Sequence, residues 1–179
     1  MEFAVARPDT TLRGEESGEG PPVLLLHGLT ATRRYVVHGS RAIERAGHRV
    51  IAFDARGHGS SSPAADPSAY RYDALAADAI AVLDDRGIER VALVGQSMGS
   101  ATAVAVALTH PDRVSSLVIV TPAHRGAPSA NLGYWDGLAD GLERGGPEGF
   151  LAALGPFAMD ERWRETVRTV ISQRIERHE

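Results

Sequence analysis

The sequence contains no cysteine, no cluster of basic residues and no stretch of eighteen consecutive apolar residues. The lack of cysteine excludes disulfides, thiolate catalysis and cysteine-bound zinc. Its 19 basic residues are outnumbered by 23 acidic ones, for a net charge of −4. We therefore expect neither a nucleic-acid partner nor a membrane partner. With no leader-like N-terminus, a cytoplasmic location is expected. No cofactor is expected, and no metal site, because no histidines are paired at helical ligand spacing.

Short apolar runs alternate with helical patterns along the first two thirds of the chain. This alternation predicts an α/β fold with a doubly wound, mostly parallel sheet and right-handed crossovers. Functional groups in such a sheet gather at the carboxyl ends of the strands. The predicted strands are 23–26, 48–53, 91–94 and 114–120, after a hairpin of 3–6 and 10–15, and the predicted helices are 32–46, 72–86 and 98–110.

The segment VALVGQSMGS, residues 91–100, contains a G-x-S-x-G pattern between a predicted strand and a predicted helix. A serine in a strained strand-to-helix turn, here called the elbow, presents its hydroxyl above the sheet, which makes Ser97 a candidate nucleophile. The helix that follows points its N-terminus at the reacting atoms, so the Met98 N–H is a candidate oxyanion donor. The alternative is a glycine-rich strand-to-helix loop without catalytic function.

This segment is the last of three that carry recognisable motifs. They are HGLTAT at 27–32, FDARGHGSSS at 53–62 and VALVGQSMGSA at 91–101, in this order and spacing. Together they resemble the α/β-hydrolase superfamily, over about Phe3 to Pro122. The resemblance implies a serine hydrolase of the esterase, lipase and related acyl-hydrolase branch, with Ser97 as nucleophile and a small ester or related acyl compound as substrate. Family members that act as dehalogenases or epoxide hydrolases place Asp at the elbow, so Ser97 argues against both.

The resemblance also assigns roles to the other two segments. It implies that the N–H of Leu29 is the second oxyanion donor, whereas the alternative is that His27 and Gly28 form only a tight exit from the strand. His27 is expected to hold this loop through a hydrogen bond. Asp54 and His58 are expected to be structural, as members of a hydrogen-bonded turn.

The base and the acid of a catalytic triad are harder to find. In this fold they follow the nucleophile on loops after later strands. Only His110, His124 and His178 follow Ser97, and His124 alone is expected near the strand ends. The chain is similar to the N-terminal two thirds of a hydrolase without its last two strands. Two functions stay open: a serine hydrolase completed by residues beyond Glu179, or a catalytically silent fragment or binding module.

Two domains are predicted: a hydrolase-like core at 1–122 and a partial helical cap at 123–179. Apolar residues of the cap either line a substrate pocket or form the faces by which the cap helices pack on the sheet domain. The missing strands would leave 114–120 as an exposed apolar edge, so self-association through this edge is expected. The apolar cap residues are Leu132, Tyr134, Trp135, Leu138, Phe150, Leu154, Phe157 and Trp163.

Overall fold

The computed structural model describes residues 1–122, 132–155 and 161–176, which fall into two compact units, Met1–Arg125 and Gly126–His178. The elements of the first unit are β1 (Glu2–Ala6), β2 (Thr11–Ser17), β3 (Pro22–Leu26), α1 (Ala42–Arg45), β4 (Arg49–Phe53), α2 (Tyr72–Asp85), β5 (Val91–Gln96), α3 (Met98–Thr109) and β6 (Val114–Val120). The second unit contains α4 (Leu132–Leu154) and α5 (Glu161–Ile175).

The strands form one mixed sheet in the order β1-β2-β4-β3-β5-β6. β1 and β2 form the predicted hairpin and pair antiparallel, as do β2 and β4, whereas β4, β3, β5 and β6 are mutually parallel. The prediction of a doubly wound, mostly parallel sheet is therefore confirmed. The chain leaves β3 toward β4 on one side and leaves β5 toward β6 on the other. The crevice for a ligand in such a sheet lies at this switch point, between the ends of β3 and β5.

Apolar residues cover both faces of the central strands, as expected for parallel strands buried between helices. Because successive side chains point to opposite faces, Leu24 and Leu26 join the core beneath α2 and α3. Val23 and Leu25 join the smaller core on the other face, near α1. The sheet that carries the strand ends is thereby fixed from both sides.

The prediction of one long helix over 32–46 is wrong. The structure has a 3₁₀ turn at Arg33–Tyr35 and a single helical turn at α1. Between them His38 and Gly39 take φ values of 49° and 73°, which reverse the chain and interrupt the helix. The apolar spacing of this segment reflects contacts with the sheet by Val36, Val37 and Ile43 rather than a continuous helical face.

In the described ranges 132–155 and 161–176 the second unit is largely helical, as the pattern of its sequence predicted. α4 is bent at Gly146, whose φ of 58° and ψ of −145° lie outside the helical region. A β-carbon on Gly141 would collide with the backbone of Gly149, so the two halves of α4 are in close contact. Leu138, Phe150 and Leu151 are buried, whereas Leu132, Tyr134, Trp135 and Trp163 are exposed. Phe157 lies outside the described residues.

The last strand, β6, is exposed along most of its length. Leu117, Val118, Ile119 and Val120 keep between 38% and 48% of their surface accessible to solvent. In the described ranges β6 pairs with β5 alone, at the edge of the sheet. Among these described elements, no helix has the length and apolar character needed to cross a membrane.

Candidate active site

Ser97 lies in a strained turn between β5 and α3. Its φ of 52° and ψ of −114° are unusual for a residue with a side chain. Two contacts hold this conformation: the Ser97 N–H donates to Val120 O at the end of β6 (3.0 Å), and the Ser97 carbonyl accepts the first helical bonds from Ser100 and Ala101. Such strain persists only where the surroundings impose it, and it is concentrated at functional sites.

The glycines two residues before and after Ser97 allow the turn to close. A β-carbon on Gly95 would collide with the backbone of Gly99, and one on Gly99 would collide with the carbonyl group of Leu26 in β3. The first turn of α3 therefore packs directly against the backbone of β5 and β3. This close packing is the physical reason for the spacing of G-x-S-x-G at this position.

The loop after β3 meets this turn. A β-carbon on Gly28 would lie 3.3 Å from Ser97 Cβ and 3.8 Å from Ser97 Oγ. Leu29 and Met98, the residues predicted to donate to an oxyanion, follow Gly28 and Ser97 in sequence, and Met98 is the first residue of α3. The geometry thus brings together the two loops that carry the predicted site, while the roles of Ser97, Leu29 and Met98 stay predictions.

Ser100 has a role that the sequence did not reveal. Its hydroxyl is within hydrogen-bonding distance of two carbonyl oxygens, Gly95 O in β5 (2.7 Å) and Val120 O in β6 (2.9 Å). Because Ser97 N–H also donates to Val120 O, the end of β6 is bound to the elbow at two points. The signal for this role in the sequence was a small side chain with a hydroxyl, Ser100, in the first turn of the helix that follows Ser97.

Asp54 organises the loop after β4, as the sequence predicted. It is 1% exposed and accepts hydrogen bonds from the backbone N–H groups of Arg33 (2.8 Å) and Ser60 (3.1 Å). It also pairs with the Arg33 guanidinium. A carboxylate with these partners stabilises the turn.

A buried ion pair supports the same loop from below. Arg56, 3% exposed, forms a bidentate pair with Asp78 of α2 at 2.7 and 2.8 Å, and Arg7 and Asp9 of the N-terminal hairpin complete the network. The hydrogen bond to Asp78 raises the pKa of Arg56 against the opposing effect of burial. The network was not predicted from the sequence, although an aspartate on the apolar face of α2, Asp78 beside Leu75 and Val82, was a signal for it.

The histidines after Ser97 are placed as follows. His110 follows the last residue of α3, more than ten residues along the helix from Ser97. His124 and His178 lie outside the described residues. Within the described ranges, no hydrogen bond joins Ser97 Oγ to a histidine, and no three His, Asp or Glu side chains converge as a metal-binding group.

Comparison with known proteins decides the family. The model of the alpha/beta hydrolase fold matches residues 21–168. The chain belongs to the alpha/beta hydrolase family. Its relatives include epoxide hydrolase B of Mycobacterium tuberculosis (strain ATCC 25618 / H37Rv), 40% identical over 100 residues, which are 56% of this chain and 28% of that protein. The sn-1-specific diacylglycerol lipase ABHD11 of Mus musculus is 36% identical over 115 residues, 63% of this chain and 36% of the lipase.

A solved structure of an alpha/beta hydrolase extends the likeness over the whole chain. A thermophilic esterase from Thermogutta terrifontis superposes with a TM-score of 0.78 at 27% identity, covering 99% of this chain and 66% of the esterase. The chain spans about a third of the length of the two curated relatives described above. Hydrolase activity is common to these relatives, while their named reactions differ.

Proposed function

We propose that this chain contributes the nucleophile and the oxyanion donors of a serine hydrolase that acts on a small carboxylic ester or related acyl compound. The observation that carries the proposal is the turn at Ser97: a serine with positive φ at the N-terminus of α3, beside Gly28. A serine hydroxyl in such a turn is presented to a substrate above the strand ends, and the proposal assigns the oxyanion to the backbone N–H groups of Leu29 and Met98.

The proposed reaction has two steps. Ser97 Oγ attacks the acyl carbon, and the N–H groups of Leu29 and Met98 donate to the oxyanion that forms. Collapse of this intermediate breaks the ester C–O bond, and the departing alcohol takes the proton that Ser97 released. Water then attacks the acyl-enzyme, which releases the carboxylic acid and restores the Ser97 hydroxyl.

This reaction needs a base to carry the proton. In the proposal the base lies outside the described residues: it is either a histidine beyond residue 179, as the family resemblance implies, or His124 as a substitute. Removing the histidine of a serine protease triad lowers turnover by about 10⁶-fold, so the origin of the base decides whether the chain acts alone.

The names of the relatives include both an epoxide hydrolase and a lipase. An epoxide hydrolase of this fold is expected to use an aspartate at the elbow, where this chain has Ser97. A serine alkoxide attacks a carbonyl carbon and benefits from oxyanion donors, so the residue at the elbow favours acyl transfer.

Fluorophosphonate labelling, measured by intact mass, tests the proposal. We expect one adduct on the wild-type chain, none on Ser97→Ala, and an unchanged adduct on the matched control Ser115→Ala, which alters an exposed serine of β6. If labelling occurs, His124→Gln tests the base. If folded wild-type chain takes no label, this chain has no working base of its own: it is then a catalytically silent fragment or binding module unless residues beyond Glu179 supply the base.

We also propose that the chain self-associates through β6, with a second copy as the partner. The support is the row of exposed apolar residues, Leu117 to Val120, on a strand at the sheet edge. Such an edge offers unpaired backbone groups together with apolar side chains, which favours pairing with another strand.

A further inference from the structure

His27 occupies a buried position at the end of β3, where its partners define its protonation. The backbone N–H of Ala55 donates to His27 Nε2 (2.9 Å), so Nε2 carries no proton. Nδ1 lies 2.8 Å from the carbonyl oxygen of Gly28, which can only accept, so Nδ1 carries the proton. Both bonds are made only by the neutral imidazole protonated at Nδ1.

His58, in the loop after β4, differs from His27 because both of its partners are hydrogen-bond acceptors. Its Nδ1 lies 2.9 Å from Arg56 O and its Nε2 lies 2.8 Å from Leu29 O. Both partners are carbonyl oxygens, so both ring nitrogens must donate for the two bonds to coexist. Only the protonated imidazolium has two N–H groups, and the neutral ring can donate to one of the two carbonyls.

These bonds fix the two peptide groups on either side of the Leu29 α-carbon. The Gly28 carbonyl and the Leu29 N–H belong to one planar peptide, so the bond from His27 sets the direction of that N–H. The Leu29 carbonyl belongs to the next peptide, which His58 holds. Rotation of the first peptide would turn the Leu29 N–H itself, and the bond from His58 restrains the neighbouring peptide and so limits rotation about the Leu29 α-carbon.

We propose that His27 and His58 form a clamp that positions the Leu29 N–H for oxyanion binding, and that the clamp is complete only when His27 is neutral and His58 is protonated. The inference rests on the proposed function, because it assigns a purpose to the Leu29 N–H. In this clamp both histidines are positioning residues, since they act through the backbone of the loop.

The clamp is sensitive to pH in both directions. Loss of the His58 proton breaks one of its two bonds. Protonation of His27 would put an N–H at Nε2 against the N–H of Ala55. The ring centroids are 5.1 Å apart, so a charge on one ring opposes a charge on the other. The other ionisable groups of this region occupy ion pairs or hydrogen bonds of their own: Arg33 with Asp54, Arg56 with Asp78 and Asp9, and Tyr70 with Ala64.

The first test is NMR of the ¹⁵N-labelled wild-type chain, which needs neither activity nor a variant that folds. We expect the His27 ring to show the neutral form protonated at Nδ1, and the Leu29 amide shift to change with the same midpoint as the His58 ring. A His27 ring protonated at Nε2, or a Leu29 amide that ignores the titration of His58, would overturn the proposal.

The second test compares the pH dependence of fluorophosphonate labelling in wild type, His58→Gln and the matched control His48→Gln, which alters a histidine whose Nδ1 also contacts a carbonyl, Pro21 O at 3.2 Å. Glutamine can donate to one carbonyl at a time, so we expect about tenfold slower labelling and loss of the alkaline limb in His58→Gln alone. An unchanged rate and profile in folded His58→Gln would refute the clamp. If no variant labels, this chain alone does not act as a serine hydrolase, and the NMR result still decides the clamp.

Discussion

Replacement of Ser97 by glycine is expected to stabilise the chain relative to replacement by alanine. Ser97 has a φ of 52°, and no hydrogen bond from its side chain caps α3, so its hydroxyl does not offset the strain. Alanine keeps the β-carbon and therefore the strain, which costs about 1–3 kcal/mol at such positions. Glycine removes the strain but loses about 0.5–1 kcal/mol through the entropy of the unfolded chain. We expect the free energy of unfolding of Ser97→Gly to exceed that of Ser97→Ala by about 1–2 kcal/mol.

The measurement is the free energy of unfolding in urea, made at one protein concentration for all variants. Ala107→Gly, in the body of α3, is the control, and there glycine should destabilise by about 0.5–1 kcal/mol. If glycine is more stable than alanine at position 97 and less stable at position 107, the backbone at Ser97 is strained. If Ser97→Gly is no more stable than Ser97→Ala, the backbone is not strained and the argument from its conformation is refuted.

Three further predictions concern stability and association. Glu16→Gln should lower stability by about 1–3 kcal/mol at neutral pH. The hydrogen bond from Arg86 lowers the Glu16 pKa below its ordinary 4.5. The stabilisation by Glu16 is therefore present above pH 4.5 and is lost as the pH falls through the lowered pKa. In urea unfolding measured from pH 7 to 3, the difference in free energy of unfolding between variant and wild type should shrink as the pH falls. Gly99→Ala should destabilise by about 1–3 kcal/mol despite its better helix propensity, because its β-carbon would meet the backbone of β3; equal urea midpoints would refute this. Val118→Lys should have a lower sedimentation coefficient than the wild-type chain, because a charge on β6 opposes pairing of two copies. Val104→Lys, which alters an exposed valine of α3, should sediment like wild type, and an equal effect of both substitutions would count against pairing through β6.

Much of the core could be predicted because its elements follow local rules. The runs 23–26 and 114–120 are apolar and rich in branched residues, and α2 ends one residue from its predicted limit, just before Gly87. The prediction of one helix over 32–46 was wrong because the apolar residues of this segment are spaced to contact the sheet, while the backbone reverses at His38. Local patterns cannot distinguish these two causes of the same spacing.

The position of the candidate site was predictable for a related reason: it follows from strand order, and strand order follows from the alternation of elements. Its supporting bonds were not predictable, since they join residues far apart in sequence. His58 and Leu29 are 29 residues apart, and Arg56 and Asp78 are 22 apart. A motif identifies the type of each residue, while its partner is defined only when the chain has folded.

The bond between Ser100 and Val120 has a consequence for how the chain is made. The two residues are 20 positions apart, so the ribosome completes Ser97 and the start of α3 before it adds the strand whose end holds them. Until β6 has docked beside β5, the backbone at Ser97 lacks its hydrogen bond to Val120 O. A nascent chain that ends before Val120 therefore carries the motif without the strand end that binds Ser97 and Ser100.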